Sequence, residues 1–113
     1  MSTSGNRPFV VVRLFEATSD VDSTFRMFSE DFALIYASSV EGARSAVERA
    51  GREPEAQYRN AVGEQITWSL KRIVDIAPVL DEDLSRDADL YSRTFDRLEP
   101  YDEITAPDSA ATD

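Results

Sequence analysis

Residues Tyr58–Ile76, YRNAVGEQITWSLKRIVDI, decide how this chain of 113 residues folds, because they contain two extended runs on either side of a turn. In the second run Ile66, Trp68 and Leu70 alternate with Thr67, Ser69 and Lys71, the period of a half-buried strand. The segment NAVGE between the runs has hairpin length, and Gly63 supplies the residue for a positive φ. The strand is expected to continue through Ile73, Val74 and Ile76 with a bulge, since the alternation breaks at RIVDI, and to end at Pro78. Tyr58 and Trp68 are expected to face the core, as aromatics on adjacent strands do.

Working outward, PFVVVRLFEA reads as a strand over Phe9–Glu16, rich in β-branched and aromatic residues, and FALIYAS as a second over Phe32–Ser38. The segment between them reads as a long connection. The period then changes. Val40, Ala43, Ala46, Val47 and Ala50 fall on one face of an amphipathic helix, with Glu41, Arg44, Ser45, Glu48 and Arg49 on the other. Ser38 and Glu41 fit a capping box, Gly51 fits a left-handed position after the last turn, and Glu48 with Arg52 adds an i, i+4 pair. The alanine-rich stripe requires close approach to a sheet. A last strand is expected over Leu90–Phe95. The resulting order is β-β-α-β-β-β: an α+β domain with an antiparallel sheet of about five strands and one main amphipathic helix.

Strand parity raises a further demand. On the first strand Val10, Val12 and Leu14 share one side and Phe9, Val11 and Phe15 the other; on the second, Phe32, Leu34 and Tyr36 oppose Ala33, Ile35 and Ala37. Both sides of both strands are apolar, whereas a half-solvated antiparallel sheet shows a polar face. The second face needs a cover. The C-terminal segment, with Leu98, Tyr101 and Ile104, could fold back over it; a second subunit could pack there; or sheet curvature could enclose it. For a homodimer the contact is expected at Phe9, Val11 and Phe15.

Length and composition bound the rest. The chain fits one domain over residues 9–104, with polar tails at 1–8 and 105–113. Neither a membrane-length apolar run nor the order of a signal peptide is present, so a soluble cytoplasmic protein is expected. The sequence contains no cysteine and no histidine, which removes disulfides, thiolate nucleophiles, Cys/His metal sites and imidazole chemistry. No cofactor or transition metal is expected.

The net charge of −10 is concentrated: residues 1–80 carry 11 acids against 9 bases, and residues 81–113 carry 11 against 3. An acidic third favours a basic protein partner over phosphate backbones. Asp81, Glu82, Asp83, Asp87 and Asp89, in DEDLSRDAD, are the candidate partner-binding residues. They lack the offsets, glycine and distal Glu of a calcium loop, and the plain alternative is a solvated loop between strands. For acid–base work the candidates are Glu64, Lys71, Asp75, Tyr36, Tyr58 and Tyr91, but no spacing among them marks a matched pair. No serine has a partner base or nucleophile-elbow pattern, and no glycine-rich phosphate loop is present. Arg59, Lys71 and Arg93 near Tyr91 and Phe95 could form an aromatic and basic sheet surface for single-stranded nucleic acid, a reading that the acidity of the chain opposes.

VVVRLFEA, EDFALIYASSVEGARSAVERAGRE, YRNAVGEQITWSLKRIVDI and ADLYSRTF, in that order, resemble the uncharacterised bacterial family called domain of unknown function 4288, over roughly Phe9–Phe95. Tyr58, Asn60, Gly63, Glu64, Trp68 and the Tyr91-Ser92-Arg93 element carry the likeness. It departs at DEDLSRDAD, where a short glycine-containing turn could stand. The resemblance implies a small α+β domain and transfers no activity. The leading expectation is therefore a small, acidic, non-enzymatic protein-binding domain, such as an immunity or antitoxin-like inhibitor of a basic partner. The alternatives are an enzyme using carboxylate, Tyr, Arg and Lys chemistry, and a structural or adaptor homodimer without ligand.

Overall fold

A computed structural model describes residues 5–51 and 56–105. Among the described residues four strands and two helices follow one another: β1 Arg7–Ser19, β2 Met27–Ala37, α1 Val40–Ala50, β3 Ala56–Arg59, β4 Gln65–Pro78 and α2 Glu99–Thr105. The strands form one antiparallel sheet in the order β2-β1-β4-β3. The mixed α+β class holds, with four strands instead of five and a second short helix. The tails expected at 1–8 and 105–113 fall largely outside the described residues, but Arg7 and Pro8 belong to β1, opposite Ala37 and Tyr36. Arg52, the expected partner of Glu48, also lies outside them.

The first two strands form a long hairpin. Met27–Asp31, read from sequence as connection, is strand because it pairs with Arg13–Ala17. Polar caps tighten the turn: Ser19 Oγ accepts from the amides of Val21 and Asp22, at 3.2 and 3.1 Å, and Asp22 Oδ1 accepts from Thr24 N–H at 3.0 Å. The hairpin of the opening stretch forms as expected. Gly63 takes φ +88°, and Asn60 Oδ1 accepts from the amides of Val62 and Glu64, at 3.1 and 2.9 Å. The break in alternation at RIVDI corresponds to two register shifts, which leave Val74 and Lys71 as extra residues on β4 opposite β1.

Helix α1 caps one residue later than the sequence suggests. Ser39 Oγ, not Ser38, accepts from Gly42 N–H at 3.0 Å. Gly51 is right-handed at φ −75°, so no left-handed cap exists. Glycine is favoured there by proximity: a Cβ would stand 3.1 Å from Leu70 Cβ and 3.2 Å from Val47 O, and closer still to Leu70 Cδ2, so Leu70 would have to shift. The alanine face achieves the expected close approach, with Ala43 and Val47 buried.

Leu70 lies opposite Phe15, and Ala37, beneath Gly42, is in phase with Ile35 opposite Phe9. Helix α1 therefore covers the β1 side that carries Phe9, Val11 and Phe15. These three are 0, 0 and 5% exposed within a single chain, which corrects their assignment to a dimer contact. Val10 and Val12, on the other side, pack with Val79, Leu84 and Tyr91. The chain's own residues 79–91 thus cover part of the second face. Leu98, Tyr101 and Ile104 do not, and all three are exposed.

No strand forms over Leu90–Phe95. The chain instead folds back on itself, with Leu80 N–H donating to Leu90 O at 3.3 Å and Asp81 N–H to Asp89 O at 3.0 Å. That path lays the segment across the sheet instead of beside an edge. The alternation around Leu90 places Tyr91 on a face and leaves no backbone ladder to join.

Candidate functional site

The outer sheet face, opposite α1, changes character along its length. At one end Val10 and Val12 lie beneath Val79, Leu84 and Tyr91. At the other end Glu16 receives Arg26 at 3.0 Å and Lys71 at 3.5 Å. Between and beside these, β2 presents Phe32, Leu34 and Tyr36 in one phase, 59, 43 and 58% exposed, with Phe28 exposed two turns of the pleat earlier. Tyr91 meets Phe32 edge-to-face at 5.8 Å between centroids. Leu80 and Leu90 are exposed beside them. The stripe on β2 was legible in part, since the same three residues share a side by parity; its exposure depends on strand order.

The acidic loop adjoins this stripe. Asp81, Glu82, Asp83, Asp87 and Asp89 are all exposed. Backbone hydrogen bonds at Leu80–Leu90 and Asp81–Asp89 close the loop, and Asp89 N–H also donates to Asp81 Oδ2 at 2.9 Å. Asp83 accepts from Ser85 Oγ and Ser85 N–H and pairs with Arg86 at 3.2 Å. The Ser85 hydroxyl, then its amide, hold the Asp83 carboxyl below its ordinary 3.8. Asp81, Glu82, Asp83 and Asp87 line a concavity of about 350 Å³ with Arg86. Among the described residues no group of three or more His, Cys, Asp or Glu side chains converges as a metal site.

Tyr91 O–H donates to Asp75 Oδ2 at 2.5 Å. Burial first, then this bond and the Asp75 charge, raise the phenol above its ordinary 10.0, so it stays protonated and is a poor base. Asp75 and Tyr91 are thus a clasp between β4 and the covering segment. The other acid–base candidates do not join them. Glu64 sits in the hairpin turn and accepts from Asn60 Nδ2 at 3.3 Å; Lys71 is paired with Glu16; Tyr36 and Tyr58 are exposed. Tyr58 therefore departs from its expected core position, because β3 is a short edge strand with every residue exposed. Trp68 is half-buried between Ala17 and Ala56 in the pairing register.

The aromatic and basic surface expected around Arg59, Lys71 and Arg93 is not assembled. Arg59 Nη1 donates to Gly63 O at 2.7 Å in its own turn, Lys71 is at a bulge, and Arg93 follows Tyr91 in chain that pairs with no strand. Phe95 stacks instead on Tyr101 of α2, at 5.1 Å and 24°. A groove of about 210 Å³ on the α1 side is lined by Phe15, Ser29, Asp31, Ala56 and Trp68. Its carboxylate is already satisfied by Arg13, which grips Asp31 through Nε and Nη2 at 2.8 and 3.0 Å. No helix among the described residues is long and apolar enough to cross a membrane. A family model described as Domain of unknown function (DUF4288) matches residues 9–92. Against curated proteins and solved structures the chain has no match.

Proposed function

The chain belongs to the DUF4288 family, a domain of unknown function, and from that premise we propose that it is a small acidic, non-enzymatic binding domain that takes a basic protein partner, in the manner of an immunity or antitoxin-like inhibitor. The observation that carries this reading is the half-exposed row Phe32, Leu34 and Tyr36 beside the five acids of residues 81–89. Large apolar side chains aligned on one exposed strand, with a charged rim, have the composition of a protein-binding patch. Opposite charge on the partner would raise the encounter rate, an effect screened over a Debye length of about 8 Å at physiological salt. The proposal extends to a cytoplasmic setting.

Catalysis is less well supported, because the bonded pair among the acid–base candidates, Asp75 and Tyr91, ties the covering segment to β4 with a phenol that stays protonated. The test is affinity capture from the native host followed by binding measurements with the purified partner. Neutralising Asp81, Glu82 and Asp83 together to amides should slow association and flatten its salt dependence. A salt slope equal to that of the unaltered chain would overturn the role of the loop.

A further inference from the structure

Resting on that reading of a basic partner, we infer that β2 is the acceptor for an additional strand, so that the partner docks by extending this sheet with a basic, extended segment. β2 is one of the sheet's two edge strands, and among the described residues its backbone makes no hydrogen bond beyond the ladder to β1. Its pairing with β1 runs without a register break from Ala37 to Met27. Over Phe32–Ala37 it carries no charge, proline or glycine. Such an edge is a template for another strand unless it is blunted.

The contrast within the same sheet is informative. β3 covers β4 only from Gln65 to Trp68, which leaves the rest of that edge open among the described residues. That edge is blunted in two recognised ways: bulges at Val74 and Lys71, and exposed Lys71 and Arg72. Phe32–Ala37 has neither device.

Two features define the occupant. Alternate side chains of an added strand would lie beside Phe32, Leu34 and Tyr36. A groove of about 110 Å³, lined by Val10, Phe32, Leu34, Leu90 and Tyr91, opens there with room for one aliphatic side chain. The flanks are acidic, with Glu30 just before the Phe32–Ala37 stretch and the loop 81–89 beyond Leu80 and Leu90. Lysine or arginine on the incoming strand answers that charge. A second copy of this chain also carries −10 and would oppose it.

The test uses the full chain and an array of ten-residue peptides in which Val, Ile, Phe or Tyr alternate with Lys, Thr or Ser, each matched to a version with Glu in place of Lys. The best binder is then N-methylated on alternate residues in two separate phases, because an added strand turns only every second amide toward the acceptor. One phase should weaken binding at least tenfold and the other less than twofold, Leu34→Lys should weaken it at least tenfold, and the Glu versions should bind at least tenfold less well. Equal response to both phases would overturn strand addition while leaving a basic partner in place. Equal binding of Lys and Glu versions would overturn the basic partner itself. An array without binders, or a chain whose mass doubles through this edge in sedimentation, would overturn the inference in favour of an unpaired edge or a second copy.

Discussion

The Tyr91 hydroxyl reaches Asp75 Oδ2 across 16 residues of sequence, at 2.5 Å, and so fastens the segment that follows β4 back onto β4 itself. It acts beside the backbone bond from Val79 N–H to Pro8 O, at 3.2 Å, in holding down the segment whose Val79, Leu84 and Tyr91 shield Val10 and Val12. Tyr91→Phe should lower stability by about 1 kcal/mol, the scale of a partly exposed hydrogen bond to a carboxylate. Amide exchange should rise across residues 79–91, and unchanged exchange there would argue against a clasp.

The same bond gives a pH dependence with a defined sign. The folded phenol titrates above its ordinary 10.0, so its contribution is complete below pH 10 and is lost as pH climbs through the raised value. Urea unfolding between pH 8 and 11 should show the unaltered chain losing stability faster than Tyr91→Phe above pH 10. Parallel curves would remove Tyr91 as the titrating group.

Gly51→Ala should destabilise the chain by about 1–2 kcal/mol through overpacking against Leu70, although the right-handed backbone itself accepts alanine. Leu70→Ala is costly alone, but in its background the Gly51→Ala penalty should shrink, because the Leu70 Cδ2 contact is removed while Leu70 Cβ and Val47 O remain. A double-mutant cycle in urea reads this directly, and additive costs would exclude the contact.

The two faces of the sheet should respond in opposite ways to charge. Val11→Glu places an unpaired carboxylate at a fully buried position and should cost at least about 3 kcal/mol or prevent folding. Leu34→Lys, on the exposed stripe, should stay within about 0.5 kcal/mol of the unaltered chain. Circular dichroism melts of the two variants test the pair, and a folded, stable Val11→Glu chain would contradict the burial described above.

Arg13 offers a smaller electrostatic effect. Its guanidinium pairs with Asp31 and lies 5.1 Å from the Phe15 ring centre, in a site open enough for solvent to screen it. Asp31→Asn should cost about 0.5–1 kcal/mol at low ionic strength. The difference should shrink in 1 M salt, where the Debye length is about 3 Å. A salt-independent cost would assign the loss to packing instead.

Local periodicity carried the elements whose own residues set them. The α1 face from Val40 to Ala50, the turn at Asn60–Glu64 with its positive-φ glycine, and the irregular alternation of β4 could all be read before any contact was known. Met27–Asp31 could not, since those residues, MFSED, are extended by pairing with β1 and show no alternation of their own. Leu90–Phe95 failed for the converse reason: it has a strand's pattern and no ladder to join.

By itself the sequence determined that both sides of β1 and β2 are apolar, that the C-terminal third is acidic, and that no imidazole or thiol chemistry exists in this chain. Only the tertiary structure decided which side each cover takes: α1 on Phe9, Val11 and Phe15, and residues 79–91 on Val10 and Val12, with β2 at the edge and its outer row in solvent. The physical reason is that a period of two divides a strand into two faces without distinguishing them. The choice comes from pairings between segments far apart in the chain, such as Val11 opposite Ile76, and these fix strand order and therefore exposure.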